Sequence, residues 1–232
     1  MISKVTIIGE RSSGTNWLEA IFNGKSYYYN NQKFKRQKNF RLIHPESNPA
    51  FDIKYEIFPH GKHFFGFCDE KIKQSDDTLY VAIVRNFYDY LESFYAYKHH
   101  VPSVNKSMEN FIKNEWYSVL NGKEYMQDRN WVTKERYKDI FELRKYKLKY
   151  LDEVMPDIAN NYFLVRYEDM LHDVDKIVLD ISEKFNLEII NKDFAKAKIK
   201  PKRNKFKKYR DYINNHLDWT IENKFNYYKQ KA

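Results

Sequence analysis

MISKVTIIGERSSGTNW, Met1 to Trp17, is the stretch that decides the fold. Val5 to Ile8 is a short apolar run that stops at Gly9. The polar loop Gly9-Glu10-Arg11-Ser12-Ser13-Gly14 follows, and Thr15-Asn16-Trp17-Leu18-Glu19 then starts a helical pattern. A strand, a glycine-bounded loop and a helix N-terminus in that order form an anion cradle. Backbone N–H groups and the positive end of the helix dipole converge on one spot. The spacing Gly9-x4-Gly14 is that of a P-loop, but a nucleotide-hydrolysing P-loop continues with Lys and then Ser or Thr. Here those positions are Thr15 and Asn16. The phosphate-binding backbone is present and the residue that handles a γ-phosphate is not.

Outward from the loop, two more apolar runs read as buried parallel-type strands, Leu79 to Val84 and Tyr162 to Val165. Helical patterns are expected at 15–23, 88–97, 107–121, 136–153, 173–186 and 211–226. Residues 24–60 have weak periodicity and read as an irregular, substrate-facing insertion. Strands alternating with helices predict an α/β fold, a P-loop-like three-layer arrangement with a central parallel β-sheet flanked by helices. No repeat or linker divides residues 1–232, so a single domain is expected.

Composition narrows the partners. The formal net charge of +9 favours an anionic ligand or surface, although Lys-rich solvated faces account for such a charge equally well. The single cysteine, Cys68, excludes a disulfide within the chain and a Cys-based zinc site, and fits a reducing compartment. With no signal pattern and no membrane-length apolar run, a soluble, cytoplasmic chain is expected.

Arg85 ends the second strand, where open parallel sheets bind ligands. Ser93 follows eight residues later, about two turns along the expected 88–97 helix. With these residues the chain resembles the sulfotransferases that use 3′-phosphoadenosine 5′-phosphosulfate (PAPS). Arg11-Ser12-Ser13-Gly14-Thr15-Asn16-Trp17 is similar to the family's 5′-phosphosulfate loop, and Arg85 through Ser93 to its 3′-phosphate motif. Val165-Arg166-Tyr167-Glu168-Asp169-Met170 resembles its strand-then-Tyr-Glu-Asp segment, and Leu217 to Tyr227 its closing helix.

The resemblance implies a P-loop-like α/β fold and sulfuryl transfer from PAPS to an acceptor hydroxyl, with 3′-phosphoadenosine 5′-phosphate (PAP) released. A carbohydrate is one candidate acceptor class. No metal is implied, because the transferred group needs no Mg²⁺ bridge. PAPS would contact Arg11, Ser12, Ser13, Gly14, Thr15, Asn16, Trp17, Arg85 and Ser93, with Trp17 either stacking on adenine or packing in the core.

Two departures stand out. Ser12 occupies the position of the family's usual loop cation, leaving Arg11 or Lys62 to supply that charge. Phe87 replaces a common Pro. The family's general base precedes the strand that ends in the 3′-phosphate Arg, which here points to His63, with Lys62 as a cation at the sulfuryl group. His60, His99 and His100 are the competing bases; His44, His172 and His216 are less well placed. Glu168, Asp169, Glu142 and Arg144 read as structural. The basic run 196–208 reads as a solvated loop or as a gate and 3′-phosphate contact. The competing functions are an Mg-ATP-dependent small-molecule kinase with a degenerate P-loop and a non-catalytic polyanion-binding module. Thr15 in the lysine position opposes the kinase, and no nucleic-acid motif supports the module.

Overall fold

The computed structural model describes residues 1–23, 27–29, 32–34, 41–43, 53–58, 61–98, 100–190 and 205–229. His44, His60, His99 and the 196–204 part of the basic run lie outside the described residues, as does most of segment 24–60. Four strands build the central sheet, all parallel: Lys54–Tyr55, Lys4–Gly9, Thr78–Val84 and Asn161–Arg166, in that spatial order. Lys54–Tyr55 lies in the segment expected to be irregular. A two-residue edge strand carries too little periodicity to be read.

Residue alternation on these strands sorts the core into layers. Val5, Ile7, Leu79, Val81, Ile83 and Val165 face one way and pack on Trp17, Leu18 and Ile21 of the Thr15–Asn23 helix and Val178 and Ile181 of the Val174–Lys184 helix. Ile8, Tyr80, Ala82 and Val84 face the other way, against Leu148, Leu151 and Ile221. Helices therefore cover both faces, the expected three-layer α/β arrangement. A third, aromatic cluster of Phe87, Tyr90, Phe94, Phe111, Trp116 and Phe141 packs outside these two.

Three helix expectations change. The helix expected over 107–121 is Met108–Lys113 only. Trp116 then pairs with Tyr137 as an antiparallel bridge, and Ser118–Leu120 forms a hairpin with Lys123–Tyr125. Trp116 reaches the core through extended chain, so its helical spacing from Phe111 and Ile112 misleads. The 136–153 helix starts at Ile140 behind the Asp139 N-cap and widens into a π turn at Tyr150–Val154. Pro156 follows; it has no N–H to give and its ring crowds the preceding turn. The tail is two helices, Arg210–His216 and Trp219–Lys224, broken at Leu217 and restarted by the Asp218 cap.

Strand register positions the site. Gly9 is level with Ile83, and Val84 is level with Arg166. The loop after Gly9, Arg85 and Tyr167 thus leave the sheet together at its carboxyl edge.

Candidate active site

The loop is held by close packing from below. Gly9 has Ile83 and Thr15 within 2.9 Å of where a Cβ would sit. At Gly14 a Cβ would meet the Tyr167 ring at 2.5 Å, and φ is +110°. Ser12 also takes a left-handed φ of +62°. Ser13 closes the turn, its hydroxyl donating to the Glu10 carbonyl at 2.6 Å. The N–H groups of Thr15 and Asn16 open the helix and have no acceptor within it.

Motifs far apart in sequence meet here. The Arg85 guanidinium donates to the Ser12 carbonyl at 3.0 Å and lies 4.3 Å over the Tyr167 ring. Trp17 packs edge-on against the same ring and is 7% exposed. Glu168 accepts from the Asn86 N–H at 2.9 Å and from the Tyr227 hydroxyl at 2.7 Å. Asp169 pairs with Arg166. Ser93 sits half-buried on the Phe87–Ala96 helix, whose first turn Asn86 caps. Phe87 starts that helix. Glu92, the residue before Ser93, is buried and accepts from the Phe206 N–H at 2.8 Å, tying the described end of the basic run to the Ser93 helix.

Behind the loop lie two buried charge clusters. Arg144 is fully buried, bonds Glu10 and both oxygens of Glu222, and donates to the Arg85 carbonyl at 2.7 Å. Burial pushes Glu10 up to about 7, against the downward pull of Arg144 and Lys147. Beside it Asp128 binds Arg11 at 2.7 Å and also Lys147. Arg11 reaches Ser118 and Gln127 as well. Burial works against the Asp128 charge, but the two cations hold its carboxyl below the usual range; burial lowers Lys147. Arg144 has the structural role expected of it, but sequence reading does not single out Glu10, Asp128, Lys147 or Glu222. Glu10, a charge placed immediately after a buried strand, is the available signal.

In front of the loop is an open cavity of about 250 Å³, lined by Lys62, His63, Glu19, Tyr125, His100 and Gln127 among others. Lys62 pairs with Glu19 and with Asn16 of the first helical turn. The His63 Nδ1–H donates to the Gly9 carbonyl at 2.6 Å. A carbonyl only accepts, so Nδ1 carries the proton and Nε2 is left as an acceptor. Desolvation first, then Arg11, Lys147 and Lys62, push His63 down to about 3. It is neutral at pH 7.

His100 lies on the same cavity, whereas His216 stacks on Tyr212 at 3.9 Å. No family model and no curated protein matches the chain. Among solved structures it is similar to a sulfotransferase from Alicyclobacillus acidocaldarius, at 11% identity and a TM-score of 0.42 over 96% of each chain. At that distance no residue role transfers. Among the described residues no cluster of His, Cys, Asp or Glu is placed to hold a metal, and no helix is long and apolar enough to cross a membrane.

Proposed function

We propose that this chain is a PAPS-dependent sulfotransferase, moving the sulfuryl group to an acceptor hydroxyl and releasing PAP. The observation that carries the reading is the bond from His63 Nδ1 to the Gly9 carbonyl. It hangs a neutral imidazole, Nε2 free to accept, on the residue that opens the anion loop. A base on the cavity wall is thereby hydrogen-bonded to the residue that starts the anion loop.

The residues fit the donor. Thr15 and Asn16 offer helix-terminal N–H groups, and Gly14 leaves no side chain in the way. Arg85 and Ser93 take the 3′-phosphate. Lys62, already against Asn16, is the cation beside the sulfuryl group, and the incoming phosphosulfate takes over part of its pairing with Glu19. Arg11, held by Asp128, supports the loop from behind.

In the transfer, the acceptor O–H proton passes to His63 Nε2 while the acceptor oxygen forms a bond to sulfur. The bond from sulfur to the 5′-phosphate oxygen breaks, and its electron pair stays on that oxygen. Lys62 and the loop N–H groups stabilise the charge that develops there.

A thermal shift with PAP, with ATP plus Mg²⁺ and with an oligonucleotide tests the donor class. At a hundredfold excess over Kd, PAP should add about 2.7 kcal/mol, a Tm rise of roughly 5–10 °C. A shift with ATP and Mg²⁺ but not PAP indicates a kinase, and one with the oligonucleotide alone a polyanion-binding module. His63→Ala should lower kcat by about 10²–10⁴-fold with PAP binding retained. Unchanged turnover removes His63 from the role.

A further inference from the structure

Among the described residues His63 is one of two histidines on this cavity, and the second is built the same way. His100 is pinned twice to Val119: the Val119 N–H donates to its carbonyl at 2.8 Å, and its ring Nδ1 bonds the Val119 carbonyl at 3.2 Å. That second bond requires the proton on Nδ1, so Nε2 is again an acceptor. No described residue bonds either Nε2. His100 also holds φ at +62°, unusual for a side chain of this size, and is anchored to the Ser118–Leu120 strand in that conformation. Aromatic rings line the cavity alongside both histidines. Tyr125 sits 5.3 Å from the Phe64 ring, edge-on, and 6.0 Å from the His100 ring. Phe64 directly follows His63.

Two fixed imidazole acceptors on one aromatic-lined cavity suit a ring that carries more than one O–H. We propose that His100 is a specificity-determining residue that accepts a hydrogen bond from a second hydroxyl of the acceptor, adjacent to the one positioned on His63. The acceptor class is a ring with neighbouring hydroxyls. A sugar and a catechol share that chemistry. The proposal rests on the sulfotransferase reading and deepens it, since it concerns only the acceptor half of the site. The cavity's size, about 250 Å³, suits a single ring at the reacting position.

The test uses the full chain with PAPS and paired acceptors: catechol against phenol, and methyl β-D-galactopyranoside against its 2-deoxy and 3-deoxy forms. In at least one arm the diol should be used with kcat/KM about tenfold or more above its partner, the discrimination expected when a site built to bond a hydroxyl meets an analogue that lacks it. His100→Gly, which suits the left-handed backbone, should bring the pair within about threefold while PAP affinity and Tm hold. His100→Asn, which also tolerates that backbone and restores an acceptor oxygen, should recover part of the preference. A purely structural His100 would slow both members of a pair alike, so an unchanged preference in His100→Gly overturns the proposal. PAP binding with no diol preference, or with no turnover of any acceptor tried, overturns it and leaves the donor reading standing. Absence of PAP binding overturns both.

Discussion

Arg11 and Lys62 are equivalent candidates in the sequence, and the structure gives them different partners and different exposure. Arg11 is 7% exposed and bound to Asp128, and it also bonds Gln127 of the cavity lining. Lys62 lines the cavity in front of the loop, against Asn16 and the partly exposed Glu19. The back of the loop holds three cations and three carboxylates: Arg11, Arg144 and Lys147 with Glu10, Asp128 and Glu222. They are paired with one another. The front keeps the Lys62 ammonium and a neutral imidazole next to open space. Buried charge whose partners are all protein fixes geometry, whereas charge with access to solvent remains available to a ligand.

The largest effect separating the two sides is expected at Arg144. Arg144→Met leaves Glu10 and Glu222 buried without their ion-pair partner, and it frees the Arg85 carbonyl. Removing one partner of a buried pair costs about 3–5 kcal/mol, which urea denaturation should read as a lower midpoint with an unchanged slope. A loss under about 1 kcal/mol would mean the cluster is hydrated and the loop is not held from behind.

Exchanging the two candidates sharpens the contrast. Arg11→Met should lose about 3 kcal/mol of stability, at the low end of that range because Lys147 still faces Asp128. PAP affinity of the folded fraction should change little. Lys62→Met removes a partly exposed pair worth about 1 kcal/mol or less. Turnover should nevertheless fall about 10²–10³-fold, the usual cost of losing one charge-stabilising donor. Denaturation and kinetics on the two variants would show opposite patterns. If Lys62→Met keeps its turnover and Arg11→Met loses it in folded protein, the assignment reverses.

What the sequence conveyed and what it withheld follow from range. Leu79 to Val84 is buried on both faces, Val5 to Ile8 likewise and Tyr162 to Val165 in part, so their apolar runs announce strands wherever the partners lie. The Thr15–Asn23 helix and the loop before it are equally local, as is the Asn86 cap. Trp116 is misleading because its place is set by Tyr137 and the aromatic cluster, not by its neighbours in the chain. The Glu10–Arg144–Glu222 contact spans 134 and 78 residues, and no local pattern encodes it. The same applies to Arg11, whose direction depends on Asp128, 117 positions away by subtraction of the residue numbers. His63 is placed beside the loop by resemblance alone; its tautomer becomes legible only with the Gly9 carbonyl in view.

The smallest effect, a dependence on pH, distinguishes His63 from an ordinary histidine. Its folded pKa of about 3 lies below the unfolded value near 6.5. Between those values the unfolded chain binds more protons than the folded one, so this site's stabilising contribution is present above about 6.5 and declines as pH falls toward 3. Glu10 works in the opposite direction: raised to about 7, it binds protons more readily when folded, and its contribution declines as pH rises from about 4.5 to 7. Comparing the wild type with His63→Gln cancels Glu10 and isolates the histidine. The stability difference should be flat above about pH 6.5 and move against the wild type below it, by at most about 1.4 kcal/mol per pH unit. Turnover should likewise show no acid limb near 6.5, because a base that stays neutral down to about 3 is not protonated in that range. An acid limb at about 6.5 that disappears in a variant retaining residual activity would place His63 in water rather than in the wall of the cavity, and the front of the loop would then be no drier than the protein surface.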